Sequence, residues 1–144
     1  MFKKILVAFD GSIYAQRALN AACSLAKVHN SKLTVLYVIP YGSPLQRHSP
    51  RLPKPDREYL EFLRKQAEMI MEGAREIVEK SGVEANLEVL EGHPVERICW
   101  YANEGGFDLV VVGKRGADAV EKLGMGSVSE RVVRTCNQNV LVVK

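Results

Sequence analysis

The chain has 144 residues, 47% hydrophobic and 26% charged, enough for one domain that buries a single core without disulfides or metal. Its 20 basic and 17 acidic residues leave a formal charge of +3, too balanced to mark a nucleic-acid binder. No apolar run approaches a membrane span, and the run after Met1-Phe2-Lys3-Lys4 is too short for a signal-peptide core, so a cytoplasmic protein is expected.

Ile5 to Phe9 is a continuous apolar run, the pattern of a strand covered on both faces, and it ends at Asp10-Gly11-Ser12. Ala15, Ala18, Leu19, Ala22, Leu25 and Ala26 then recur at helical spacing opposite Gln16, Arg17, Asn20 and Lys27. A buried strand therefore feeds an amphipathic helix whose small face suits close packing on a sheet, with Asn30-Ser31 as its stop. Leu33 to Ile39, rich in β-branched and aromatic residues, predicts a second strand ended by Pro40. From Tyr41 to Pro55 come four more prolines and the basic residues Arg47, Arg51 and Lys54, which predicts a long mobile loop within one domain spanning 1–144.

Asp56 is placed to cap the next helix, whose stripe of Leu60, Leu63, Ala67, Ile70, Met71, Ala74, Ile77 and Val78 ends at Ser81-Gly82. Asn86 to Leu90 alternates as a strand near a sheet edge does. Pro94 suits a first helical position, Val95, Ile98, Cys99 and Ala102 give that helix its buried face, and Gly105-Gly106 ends it. Leu109 to Val112 is a fourth strand, stopping at Gly113. Ser127 and Glu130 have the spacing of a capping box, Val128, Val132 and Cys136 continue a helical face, and Val140 to Val143 is a closing strand. Strand and helix thus alternate four times before a last strand. That order predicts an α/β fold with a doubly wound, five-stranded parallel sheet and helices on both faces, Rossmann-like in plan.

In such sheets ligands bind beyond the carboxyl ends of the strands, where the strand order reverses. If the chain winds outward from the first strand, the first and fourth strands flank that crevice, and Asp10-Gly11-Ser12 meets the segment from Gly113 to Ser129. Glycine lets backbone approach an anion closely, and a helix's first turn presents unpaired N–H groups, so the layout reads as a nucleotide phosphate site. Phosphates would lie at Gly113, Gly116 and Gly126-Ser127, the base would reach toward Val38, and Lys114, Arg115 and Lys122 would offset charge.

The spacing G-x2-G-x9-G-S, here Gly113, Gly116, Gly126 and Ser127, resembles the ATP-binding signature of the universal stress protein family. The opening I-L-V-A-F-D-G-S, the second strand ending Y-V-I-P and the terminal V-L-V-V are also similar to that family, so the likeness covers nearly the whole chain. The resemblance implies sheet order 3-2-1-4-5 and an ATP-binding, often dimeric cytoplasmic protein. Mg2+ is expected to accompany ATP, and the apolar edge strand Val140 to Val143 predicts a homodimer joined through the last strand. By the same resemblance Asp10 would hold the ribose, and Ala8 and Val38 would contact adenosine through their backbones. Gly113, Gly116, Gly126, Ser127, Val128 and Ser129 would bind phosphates and ribose. Asn139 departs from the family's frequent proline before the last strand, and the Tyr41–Pro55 stretch matches no family pattern.

Other chemistry finds little support. Cys23, Cys99 and Cys136 lack the paired spacings of zinc or redox sites and are expected to be reduced, buried space fillers. His29, His48 and His93 have no second ligand at helical spacing, so no metal site is expected. Ser12 and Ser127 lie outside G-x-S-x-G, and no Walker lysine follows Gly113, so no catalytic residue is assigned. The leading reading is a nucleotide-binding regulatory protein. The alternatives are a slow ATPase or a phosphoryl or nucleotidyl transferase on the same site, and a dimeric interaction module without ligand.

Overall fold

Short β-rich runs separated by amphipathic stretches become, in this computed structural model, strands β1 (Lys4–Ala8), β2 (Lys32–Pro40), β3 (Ala85–Gly92), β4 (Leu109–Gly113) and β5 (Asn139–Val143). Between them run helices α1 (Ile13–His29), α2 (Arg57–Ser81), α3 (Pro94–Glu104) and α4 (Ser127–Thr135). The structure describes residues 1–40, 57–116 and 124–144. The loop expected from Tyr41 to Pro55, the Asp56 cap and Lys122 lie outside the described residues.

The strands form one parallel sheet in the order β3-β2-β1-β4-β5, as the alternation of elements implied. β1 is central, with Val7 opposite Val35 on one side and Val111 on the other. Its continuous apolar run follows from that position, since both faces are covered. Ile5, Val7, Leu33, Val35, Leu109 and Val111 face α1 and α2, while Leu6, Leu36, Val38, Val110 and Val112 face α3 and α4. Each fully buried aliphatic side chain of this kind contributes about 1.5–3 kcal/mol. Strand β3, at one edge, alternates half-buried Ala85 and Leu87 with exposed Asn86 and Glu88, but the alternation expected from Asn86 to Leu90 breaks at Val89, which is exposed.

Helix α1 lies close on the sheet because the face it turns inward is mostly alanine: Ala15, Ala18, Ala22 and Ala26 are buried around Leu19 and Cys23. It stops at Asn30, which takes the left-handed conformation with φ 53°. Asparagine tolerates that region better than most residues, which is why Asn30-Ser31 is legible as a stop. Among the described residues no helix is long and apolar enough to cross a membrane.

One expectation fails. Cys23 is buried and unpaired, but Cys99 and Cys136 form a disulfide, with Cα atoms 4.9 Å apart, across 37 residues of sequence. Neither is a buried space filler, since both are only half-buried. Their pairing arises because α3 and α4 cover the same face of the sheet, a tertiary relation that linear spacing does not encode.

The tightness of the α1 contact can be tested by enlarging one alanine. Ala18→Leu adds volume where no space remains and should lower the unfolding free energy by about 1–3 kcal/mol in urea titrations. The same addition at exposed Ser24 should change it by less than about 0.5 kcal/mol. Equal effects would contradict the close seating of α1.

Candidate functional site

The chain leaves the sheet after Ala8. The Phe9 N–H still donates to the Leu36 carbonyl at 2.9 Å, and Asp10 then turns the backbone by accepting the Ser12 N–H on Oδ1 at 3.0 Å. Gly11 carries φ +83°, a conformation that L side chains resist. Ser12 caps α1, its Oγ accepting the Ala15 N–H at 3.2 Å. One oxygen of Asp10 thus has a structural task. The other lies beside Gly116, where an added Cβ would come within 2.5 Å of Asp10 Oδ2.

At the end of β4 the absence of side chains is forced by contact within the protein. A Cβ on Gly113 would sit 2.7 Å from the Tyr14 carbonyl carbon and 2.8 Å from its oxygen, so this glycine seats the first turn of α1 against β4. A Cβ on Gly126 would lie 3.2 Å from Arg115 Cα and 3.6 Å from the Gly116 nitrogen. Two amides of the loop are used internally, Lys114 N–H donating to Val143 O at 2.7 Å and Gly126 N–H to Lys114 O at 2.8 Å. The buried Ser129 hydroxyl donates to the Gly113 carbonyl at 2.6 Å. Together these contacts fold the start of α4 back over the glycine loop.

The capping box is a correction. The N-cap is Gly126, in extended conformation, and Ser127 is the first helical residue. Glu130 pairs with Arg134 at 2.7 Å instead of reaching back. The capping position packs tightly, since a Cβ on Gly126 would press on the Arg115 backbone at 3.2 Å. The Ser127 hydroxyl is exposed at the amino end of the helix. Val128 also departs from expectation: it is 40% exposed and does not continue the buried face of Val132. The N–H groups of Ser127, Val128 and Ser129 open the helix, where no intrahelical acceptor exists and the helix dipole favours an anion.

Val38 stands one strand away. β1 ends at Ala8 opposite Leu36, while β2 continues to Pro40 with only β3 beside it. Because Leu36 O accepts from Phe9, Leu36 turns its peptide groups toward β1; alternation turns those of Val38 the same way, beyond the point where β1 has ended. Those groups border the crevice, as does the backbone of half-buried Ala8. Asp10, Gly113, Gly116, Gly126, Ser127 and Ser129 are gathered at one sheet edge, with Ala8 and Val38 alongside.

Two residues at this edge were not singled out from the sequence. Tyr14, in the first turn of α1, accepts a hydrogen bond from Arg115 Nη2 at 2.8 Å, and the Arg115 guanidinium lies 5.1 Å from its ring centre. Arg17 approaches the same ring at 5.4 Å. An aromatic just after D-G-S, with a cation three residues on, was the available signal. Among the described residues no group of three His, Cys, Asp or Glu could hold a metal ion. A depression of about 530 Å³ lies at the opposite edge, lined by Ser31, Lys32, Arg75 and Asn86 at the amino ends of β2 and β3. It has neither a glycine loop nor a helix start.

Fold and site define a class: a doubly wound, Rossmann-like α/β domain whose crevice lies between its first and fourth strands. The model of the universal stress protein family matches residues 1–144. The chain is 32% identical over 148 residues to the universal stress protein YxiE of Bacillus subtilis, covering all of both chains. The structure of the universal stress protein UspA from Lactobacillus plantarum superposes with TM-score 0.84 at 29% identity, covering 99% of this chain and 98% of that one. This chain belongs to the universal stress protein family. Two more distant structures share its fold, a universal stress protein in complex with cAMP (24% identity, TM-score 0.71, 99% and 97% covered) and one from Archaeoglobus fulgidus in complex with dAMP (23%, 0.72, 99% and 98%).

The two glycines of the loop should respond differently to one added methyl group. At Gly113 the obstacle is backbone, so Gly113→Ala should lower stability by about 1–3 kcal/mol by urea denaturation. At Gly116 the obstacle is the end of a side chain, so Gly116→Ala should lower it by less than about 1 kcal/mol, with the Asp10 carboxylate displaced. The reverse ranking would contradict this packing.

Proposed function

We propose that this chain is a cytoplasmic, homodimeric ATP-binding protein that acts as a nucleotide-dependent regulator in stress responses. The observation that carries the reading is the convergence of a carboxylate, Asp10, a glycine loop and the amino end of α4 on one crevice. In this reading adenine bonds to the backbones of Val38 and Ala8, and a ribose hydroxyl donates to the Asp10 oxygen beside Gly116. The phosphates accept from the first amides of α4 and from the exposed Ser127 hydroxyl, with Gly113, Gly116 and Gly126 keeping side chains out of their path. Lys114 and Arg115 add positive charge, and Mg2+ would arrive on the phosphates. The fit is chemical: a carboxylate accepts from hydroxyls, while outward N–H groups donate to anions. The proteins of the same fold seen with cAMP and dAMP are consistent with this reading, which rests on this chain's own residues. No group here is assigned a catalytic role.

The homodimer is drawn through β5. That strand ends the sheet, and its Leu141 is 37% exposed, with Val128 and Val133 of α4 at 40% and 45%. An apolar edge strand is a surface that folded proteins usually cover.

Ribose and phosphate contacts can be separated by titration calorimetry. Asp10→Ala should weaken ATP and adenosine alike, by roughly 10- to 100-fold, the scale of a hydrogen bond to a charged group. Ser127→Ala should weaken ATP several-fold, about one neutral hydrogen bond, and leave adenosine unchanged. A folded protein that gives no heat with ATP and Mg2+ sinks the reading. For the interface, light scattering at micromolar concentration should report a dimer mass, and Leu141→Lys should convert it to monomer; a monomeric parent protein would contradict pairing through β5.

A further inference from the structure

α4 has nine residues, too few to remain helical in water unaided. Ser129 and Val132 are the residues buried along it, one hydrogen-bonded to Gly113 and one packed in the core, and the Gly126 N–H bonds to the Lys114 carbonyl at its amino end. At its carboxyl end Cys136 is tied to Cys99 on α3. α3 is the firmer partner, with Val95, Ile98 and Ala102 buried against the sheet. The disulfide is therefore a main anchor of α4, and the outward amides at the other end depend on that helix staying formed. Both linked cysteines are half-buried and so within reach of a small thiol, whereas Cys23 is buried on the inward face of α1.

We propose that Cys99–Cys136 is a thiol–disulfide exchange site, acted on by low-molecular-weight thiols, that sets the order of α4 and through it the affinity for nucleotide. The coupling to nucleotide rests on the site reading above; the effect on α4 does not. In the opening direction a small thiolate attacks one cysteine sulfur, the S–S bond breaks, and the other cysteine leaves as thiolate. A second small thiolate attacks the mixed disulfide, freeing the first cysteine and forming the oxidised small-molecule disulfide. Two electrons pass from the small thiols to the pair, and each freed cysteine takes a proton at neutral pH. Closing is the reverse, with the oxidised small-molecule disulfide as acceptor. In a reducing compartment protein disulfides are mostly transient, which suits a pair that reports oxidation. Once the tie opens, α4 frays from its carboxyl end, and a ligand at its amino end must order the helix as it binds. Linkage makes the coupling reciprocal: bound nucleotide makes the disulfide harder to reduce by the same factor.

The test uses the full chain oxidised with glutathione disulfide, reduced with excess glutathione, and as the Cys99→Ser/Cys136→Ser double variant. Two readouts are followed: amide hydrogen exchange across 127–135 without nucleotide, and calorimetric Kd for ATP. Reduction should speed exchange in that helix and raise Kd by about tenfold, an ordinary coupling between two sites. The double variant should match the reduced protein and ignore redox state, while Cys23→Ser should respond as the parent does. Equal exchange in the two thiol states, an unchanged Kd in a protein that binds ATP, or mass spectrometry showing Cys99 and Cys136 unpaired after oxidation would each overturn the proposal. Faster exchange on reduction with no ATP binding in either state would sink the nucleotide reading and the coupling, and leave the clamp on α4 supported.

Discussion

The site depends on one close approach: the end of β4 lies so near the first turn of α1 that residue 113 can carry no side chain. With Gly113 against the Tyr14 backbone, the exit from β1 and the exit from β4 are held within a few ångströms of each other. Asp10 then rests beside Gly116, and Gly126 closes over Arg115. A larger residue at 113 would separate the two exits, and the carboxylate and the amino end of α4 would no longer share a crevice. The glycines that invite a ligand-centred explanation are therefore first a packing device, and the ligand surface follows from the packing.

Rigidity reaches this edge from the two cores. β1 is buried through its middle and β4 along its whole length, so the loops leave from packed strands. The amino end of α4 is less secure, held by two buried side chains, by hydrogen bonds to Gly113 and Lys114, and by a disulfide at its far end. The geometry combines a fixed half, Asp10 with Gly113, and a half whose order depends on a short helix. Binding affinity is most open to modulation at the second.

The sequence made the fold legible because each central strand is an uninterrupted apolar run and each helix carries its stripe at helical spacing. The reversal of strand order at β1 then followed from connectivity, and with it the meeting of Asp10 and Gly116. Three features were not legible, each for a tertiary reason. The α4 cap falls on Gly126, tight against the Arg115 backbone, a contact between separate stretches of chain that the local pattern Ser127 to Glu130 does not record. The Cys99–Cys136 pair exists because two helices 37 residues apart at those positions share one sheet face. Tyr14 joins the site through a contact with Arg115 that spans most of the chain, and Arg17 through the Tyr14 ring.

The most direct test of the account is amide NMR of the isotopically labelled chain titrated with ATP and Mg2+. If the amino end of α4 and the exit of β4 form the binding surface, the largest shifts fall on the amides of Gly116, Ser127, Val128 and Ser129, with Val38 beside them. Shifts concentrated instead at the amino ends of β2 and β3, around Lys32 and Asn86, would contradict it.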